Sequence, residues 1–485
     1  MFPPPINVFV RDRVLDTTSL ASVHHAGNTG GNGDSLPSGI SENGRFVLFE
    51  SSASDLVTGD TNGTRDVFVR DLVLQTTLLV SRGLGGACGN GDSRDAVMTP
   101  DGRYVAFVSA ATNLVMADTN RVPDVFVRDL LSGTTALVSV GAIAGNALQP
   151  GAGSHSPRIT PDGTHVAFFS AATNLVPGSM LANDVYVRDL IAGSTAWASI
   201  HARQVSKGTV VASFNPRISD DGKFVVFIAS TNASIGFLPR KSAVLRHDLE
   251  SGATTILHSN AYVSTQTYQS LNNLDMSPDG QFVAFVGSPP GSAGETSALY
   301  LWKTSPGSNV LASLPQEGGL CASPKVSADG RFVTFLGATT SEFHLYRWDH
   351  LAGSTVRVDE ESGEAPAVFP SAQTALSSDG NVVAFESMAA LVANDSNRES
   401  DVYVRDLRID TPEWVSAPDP ALPGGGPVLS WLAGNQVDFH VQFKEHWNEN
   451  HWRDVIGNIL FIGKRAYVRD LAPAADARFY RIVSE

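Results

Sequence analysis

The chain has 485 residues, 42% apolar and 17% charged, with 44 glycines and 26 prolines; this turn-rich globular composition excludes bulk disorder. A formal net charge of −15 argues against nucleic acid or an anionic membrane surface as the main partner. No apolar stretch approaches the ~20 residues that span a bilayer, and two distant cysteines, Cys88 and Cys321, exclude a disulfide framework.

Met1–Pro5 lead almost directly into the strand-like Asn7–Asp12, without a signal-peptide pattern. With Thr17–Val23, this segment matches the last two strands of a repeat that follows, but lacks the first two. The chain is therefore expected to start within a repeat. Either the natural protein extends upstream, or an incomplete eighth unit stands beside seven complete ones.

From Asn43 onward one unit recurs. Asn43-Gly44, Asp101-Gly102, Asp162-Gly163, Asp221-Gly222, Asp279-Gly280, Asp329-Gly330 and Asp379-Gly380 follow at steps of 58, 61, 59, 58, 50 and 50 residues, marking seven starts. Each is followed by an apolar run such as Val105-Ala106-Phe107. Asp-Gly or Asn-Gly between apolar runs predicts a tight hairpin, whose favoured form has positive φ at both central residues. A second landmark lies further on in each unit. It is Asp66–Leu72, Asp124–Leu130, Asp184–Leu190 and Asp401–Leu407, with weaker versions at Val244–Asp248, Leu299–Trp302 and Leu345–Asp349. A turn such as Ser132-Gly133-Thr134 and a run such as Thr135–Ser139 complete the unit.

These pieces read as four short strands, here called A to D. Strands B and C are apolar on both faces, as in a sheet buried on both sides. No helical pattern separates them, so a parallel α/β sheet is excluded. Four-stranded units repeated in tandem describe an all-β chain, a seven-bladed β-propeller, with eight blades as the alternative. The expected divisions are 1–35, a partial blade and loop; 36–417, the propeller; 418–427, a Pro/Gly linker; and 428–485, a small β-sandwich.

The Pro-Asp-Gly-x-x-Val-Ala-Phe and Asp-Val-Phe-Val-Arg-Asp-Leu pattern resembles the TolB-type, WD-repeat-like propeller repeat of bacteria over residues 6–417. The resemblance labels the fold more than the function. TolB carries an additional N-terminal α/β domain in that family's pattern, which this sequence does not show, so its role at the cell envelope does not carry over. Beyond the linker, strands are suggested at Val428–Trp431, Val437–Phe443, Trp452–Val455, Ala466–Leu471 and Phe479–Val483. The last, Arg478-Phe479-Tyr480-Arg481-Ile482, resembles the end of a fibronectin-like β-sandwich appended to secreted bacterial proteins. That resemblance implies an extracellular or periplasmic location or surface display, with the leader lost by truncation.

One loop pattern suggests a cofactor. Asp60, Asn62 and Asp66 recur as Asp118, Asn120 and Asp124 and as Asp395, Asn397 and Asp401. Oxygen side chains at such spacing suit Ca²⁺; the plainer alternative is a series of Asx-turns shaping the B–C loop. The third copy, Gly178–Asp184, lacks the first Asp. The Arg-Asp pairs Arg70-Asp71, Arg128-Asp129, Arg188-Asp189 and Arg405-Asp406 recur too regularly for one active site and are expected to bridge strands or blades. In Glu445–His451 the histidines are five apart, which is not the His-Glu-x-x-His helix spacing.

There is no Gly-x-Ser-x-Gly elbow, and the residues beyond the linker are too few for a hydrolase domain. Sialidase-type Ser-x-Asp-x-Gly-x-Thr-Trp boxes are absent, and the histidines, among them His24, His25, His155, His165 and His201, are scattered. The expectation is a non-catalytic exported scaffold that binds a protein, peptide or glycan through its loops, with no cofactor other than calcium. It is a monomer or part of a larger surface protein. The alternatives are an extracellular hydrolase or lyase with its site at the channel mouth, and a purely structural repeat module.

Overall fold

The computed structural model describes residues 4–116, 118–142, 153–172, 174–178, 183–205, 212–230, 242–259, 273–287, 297–305, 307–312, 320–338, 343–359, 374–387, 391, 400–407, 413–415, 428–432, 439–444, 451–455, 459–462, 465–469 and 479–484. The fold is all-β, a seven-bladed propeller of antiparallel meander sheets. By packing the chain divides into 1–357, which holds blades 1 to 6, and 358–485, which holds the seventh blade sheet and two small sheets.

Blade 1 is A Ser35–Ile40, B Phe46–Ser51, C Asp66–Asp71 and D Thr76–Leu79. Blade 2 is Ser93–Met98, Tyr104–Ser109, Asp124–Asp129 and Thr134–Leu137; blade 3 is Ser154–Ile159, His165–Ser170, Asp184–Asp189 and Ser194–Trp197. Blade 4 is Ala212–Ile218, Phe224–Ser230, Ser242–Asp248 and Thr254–His258; blade 5 is Leu274–Met276, Phe282–Gly287, Ala298–Lys303 and Ser308–Leu311. Blade 6 is Leu320–Val326, Phe332–Ala338, Phe343–Asp349 and Ser354–Arg357.

Strand B is buried on both faces because alternate residues serve opposite neighbours. Val105 and Phe107 join the core shared with blade 1 (Leu48, Val67, Val69), whereas Ala106 and Val108 join that shared with blade 3 (Val166, Phe168, Tyr186). The same alternation continues through Val225 and Phe227 against Val226 and Ile228 in blade 4. Within a blade, an aromatic of B stacks on one of C: Phe49 on Phe68, Phe107 on Phe126, Phe285 on Tyr300 and Phe335 on Tyr346, with centroids 5.5–5.9 Å apart. From blade 1 to blade 6, strand A of one blade lies against strand A of the next, so these A strands form the inner edge of the stack, while D strands alternate exposed and half-buried residues.

The A–B turns differ from the expected type. Positive φ occurs at Gly102 (77°) and its six counterparts but not at the preceding Asp. Thr99 O accepts the Gly102 N–H at 2.9 Å, so Thr99-Pro100-Asp101-Gly102 is a type I turn closed by a left-handed glycine. Thr99 Oγ1 donates to Asp101 Oδ1 (2.5 Å) and accepts the Tyr104 N–H (3.0 Å), while Asp101 Oδ1 accepts the Arg103 N–H (2.9 Å). These side-chain bonds favour the type I form over the mirror-image turn.

The Arg-Asp pairs bridge strands within a blade, each residue to a different partner. Arg70 donates to Thr77 Oγ1 of strand D (3.1 Å), and Asp71 accepts the Val73 and Leu74 N–H groups of the C–D turn. Asp71 also takes Arg45 of the A–B turn at 2.7 Å, which holds its carboxyl at about 2; Arg103 does the same for Asp129 at 2.9 Å.

The N-terminal hairpin, Phe9–Asp12 with Thr17–Leu20, stands on blade 1 as strands C and D of a preceding blade would. Val8 and Ala21 enter the core with Val47, Phe49 and Phe68. The Ser35 N–H donates to Ile6 O at 2.8 Å, just as Ser93 donates to Arg65 O and Ser154 to Pro123 O at the following joints.

In 358–485, Thr374–Leu376, Val382–Ser387 and Asp401–Asp406 form the seventh blade sheet. Glu413–Val415, which lies within the 36–417 span expected for the propeller, pairs instead with Val428–Leu432. Strand D buries little in any blade, so its exchange to another sheet costs little. That sheet continues through Arg465–Arg469 to Leu460–Ile462, the last of which the sequence did not suggest. Phe439–Lys444 pairs with Arg453–Asp454 and Phe479–Ser484 in a second sheet, and Val441 shares a buried cluster with Leu429, Ala466 and Val468.

Candidate functional site

The inner edge of blades 3 to 6 gathers an unusual set of charges. Strand A carries a β-bulge in blades 2, 3, 4 and 6, between Arg94 and Val97, His155 and Arg158, Phe214 and Arg217, and Ala322 and Lys325. At each bulge one non-glycine residue is left-handed: Asp95 (54°), Ser156 (54°), Asn215 (59°) and Ser323 (51°). A bulge re-aims the side chains that follow it, and such strain is held only where the surrounding structure imposes it.

The residues just past these bulges, and Asp275 of the unbulged blade 5, occupy one level of the stack. Register places Val97, Arg158, Arg217, Asp275 and Lys325 opposite Ala106, Ala167, Val226, Ala284 and Thr334 of their own B strands. Three cations from blades 3, 4 and 6 therefore surround one carboxylate from blade 5. Arg217 Nε stands 3.4 Å from Asp275 Oδ1, and its Nη1 donates to Asn215 Oδ1 (3.1 Å) and Pro216 O (3.0 Å). Asp275 Oδ2 accepts the Val326 N–H at 3.1 Å, tying blade 5 to blade 6. Arg158 donates to its neighbour Pro157 O (3.1 Å), and among the described residues the Lys325 ammonium has no hydrogen bond or ion pair.

These groups lie close enough to shift one another's ionisation. Burial, then Arg217, pushes the Arg158 guanidinium down to about 9, with Asp275 and Asp95 opposing; it stays charged at neutral pH. Burial also lowers Lys325, with Asp275 opposing and Arg217 and Arg158 pressing further down. Arg158 and Lys325 are closely surrounded yet only half-buried, as side chains lining a narrow space are. The cluster is a concentrated positive site in a chain of net charge −15.

Sequence reasoning missed this cluster, although a signal for it exists. Ser156-Pro157-Arg158, Asn215-Pro216-Arg217 and Ser323-Pro324-Lys325 share the pattern Ser/Asn-Pro-basic before the Asp-Gly turn. Only the bulge gives that pattern its meaning.

The expected calcium loops take a defined shape in blades 1 and 2. Asn62 Oδ1 accepts the Thr64 N–H (2.8 Å), an Asx-turn, while its Nδ2 donates to Asp66 Oδ2 (2.5 Å) and Gly89 O (2.8 Å). Asn120 repeats this with the Val122 N–H (3.0 Å), Asp124 Oδ2 (2.7 Å) and Ala142 O (2.7 Å). Ser81 and Ser139 donate to the other oxygen of Asp66 and Asp124, both at 2.5 Å. Burial pushes each of these two carboxyls up to about 6 against those hydrogen bonds, and burial likewise raises Asp60 and Asp118. Asp395 and Asn397 lie outside the described residues; Asp401 begins strand C of the seventh blade sheet.

No family model and no curated protein matches the chain. Solved structures do. Dipeptidyl peptidase 4 of Porphyromonas gingivalis aligns at TM-score 0.52 and 13% identity over 89% of this chain and 62% of that one. An oligogalacturonate lyase from Vibrio parahaemolyticus gives 0.45 and 12% over 84% and 98%. TolB from Acinetobacter baumannii gives 0.31 and 16% over 60% and 59%. The chain thus spans less than two thirds of TolB and of the peptidase, and at these identities the likeness is one of fold.

Proposed function

We propose that the chain is a binding propeller whose ligand carries carboxylates and docks on Arg158, Arg217 and Lys325 at the inner edge. The observation that carries this is the Lys325 ammonium, without a hydrogen bond or ion pair among the described residues, beside half-buried Arg158 and buried Arg217, with Asp275 as their nearest counter-charge. Holding three cations together is costly unless an anion completes the set. Arg217 is already oriented by Asp275, so Arg158 and Lys325 supply the free donors. An acidic peptide and an acidic glycan present the same chemistry to such a site. The export assignment, extracellular or periplasmic, rests on the Phe479–Ile482 motif, with the paired C-terminal sheets read as the appended sandwich module.

The test titrates the full chain with oligoglutamate and with oligogalacturonate, each against its uncharged counterpart, by calorimetry at low and high salt. One acidic ligand binds, its neutral counterpart does not, and salt weakens the complex. Arg158→Gln and Lys325→Met each weaken binding by roughly ten-fold, the value of one charge-assisted hydrogen bond. Binding unchanged in both variants, or no binding of either acidic ligand, overturns the assignment. Cleavage of the bound ligand moves the site to the hydrolase or lyase alternative.

A further inference from the structure

A second arrangement of charge lies in the B–C loops of blades 1 and 2, independent of the inner-edge cluster. Asp60 and Asp66 are 6% and 0% exposed, and Asp118 and Asp124 are likewise 6% and 0% exposed. Among the described residues, Asp60 Oδ1 and Asp118 Oδ1 are fully buried and have no hydrogen-bond partner. Within each loop the two carboxylates are close enough to repel, and among the described residues no cationic side chain offsets them. Two buried like charges with an unpartnered oxygen are among the costliest groups an interior can hold.

Blade 3 provides the comparison. There Gly178 stands where the first Asp would be, so one carboxylate remains, and Arg203 Nη2 lies 4.0 Å from Asp184 Oδ2. The one-carboxylate loop has a protein cation beside it. The two-carboxylate loops do not.

The place for an external cation is marked by the Asn amide. Asn62 Nδ2 sits between Asp66 Oδ2 and Gly89 O, and Asn120 Nδ2 between Asp124 Oδ2 and Ala142 O. A cation that takes the place of the amide group, with the Asn side chain swung aside, meets these two oxygens at once, and the unpartnered Asp60 Oδ1 or Asp118 Oδ1 of the same loop is the candidate third ligand. Carboxylate and carbonyl oxygens from an irregular loop, completed by water, are the ligand set of Ca²⁺ rather than of a transition metal.

We propose that loops 60–66 and 118–124 each bind one Ca²⁺. Gly89 O and Ala142 O are ligands supplied by the following D–A loop, so the ion also locks that loop to strand C. The chelator-treated full chain is titrated with Ca²⁺ alone by calorimetry, and Tm is measured with and without the ion. Saturable binding with a dissociation constant on the order of 10⁻⁶–10⁻³ M and a raised Tm are expected. Asp60→Asn and Asp118→Asn each lower the stoichiometry by one, whereas Asp184→Asn in blade 3 leaves it unchanged. No heat and no Tm change in the wild-type chain overturns the proposal, whatever the variants do. Unchanged stoichiometry in both loop variants does so as well.

Discussion

Replacing Gly102 by alanine tests how tightly successive blades are pressed together, and Gly44 is its internal control. Both glycines close an A–B turn with nearly the same φ, 77° and 70°. A Cβ on Gly44 meets nothing within 4 Å, so Gly44→Ala costs only the left-handed strain, about 1–2 kcal/mol. A Cβ on Gly102 runs into the Phe46 ring of blade 1, with Cε2 and Cγ at 3.1 Å and Cδ2 closer still. Phe46 borders the inter-blade core with Leu48, Val67 and Phe107, which limits how far it can withdraw. Overpacking of this kind adds about 1–3 kcal/mol, for a total of about 2–5 kcal/mol. At about 2 °C per kcal/mol for a domain of this size, Gly44→Ala lowers Tm by about 2–4 °C and Gly102→Ala by about 4–10 °C. Thermal unfolding followed by tryptophan fluorescence, with urea midpoints as a check, reads the difference. Equal losses in the two variants would show that Phe46 does not press on the Gly102 turn, and the account of the blade joint would be wrong.

Lys325→Met raises Tm near neutral pH while it weakens acidic-ligand binding, because burial lowers the Lys325 pKa and its charged form therefore opposes folding; a lower Tm at unchanged ligand affinity refutes the inner-edge account. Asp71 and Asp129, held at about 2 by Arg45 and Arg103, contribute stability above the ordinary carboxylate value near 3.8 and lose it as pH falls toward about 2. Arg45→Met with Arg103→Met therefore flattens the fall of Tm over that window, which an acid titration of Tm measures. Both cysteines are free and buried, and burial pushes the Cys321 thiol up to about 12. A thiol reagent at about pH 8 consequently labels neither in the folded chain and both in urea, as mass spectrometry of the intact chain will show.

The local features of this protein are written in its sequence because local physics decides them. Asp-Gly or Asn-Gly closes each A–B hairpin, the two-faced apolar runs mark strands B and C, and the Arg-Asp pairs tie strands of one blade. Repetition made the turn signal legible seven times over. The turn type was less legible, since Pro100 and the Thr99–Asp101 side-chain bond select a type I turn where the Asp-Gly dipeptide alone suggested its mirror image. Strand D of the seventh blade was also out of reach, because pairing of Glu413–Val415 depends on which edge is nearby. The charged inner edge is assembled by the tertiary structure, although the Ser/Asn-Pro-basic pattern hints at three of its members. Arg158, Arg217, Asp275 and Lys325 lie in four different repeats, and each one's residue type says nothing about the others. Stacking brings their A strands together, and the bulges of blades 3, 4 and 6 place Arg158, Arg217 and Lys325 level with Asp275 at the inner edge. Long-range packing of repeats thus decides where charge accumulates, whereas hydrogen bonding among near neighbours decides the shape of each repeat.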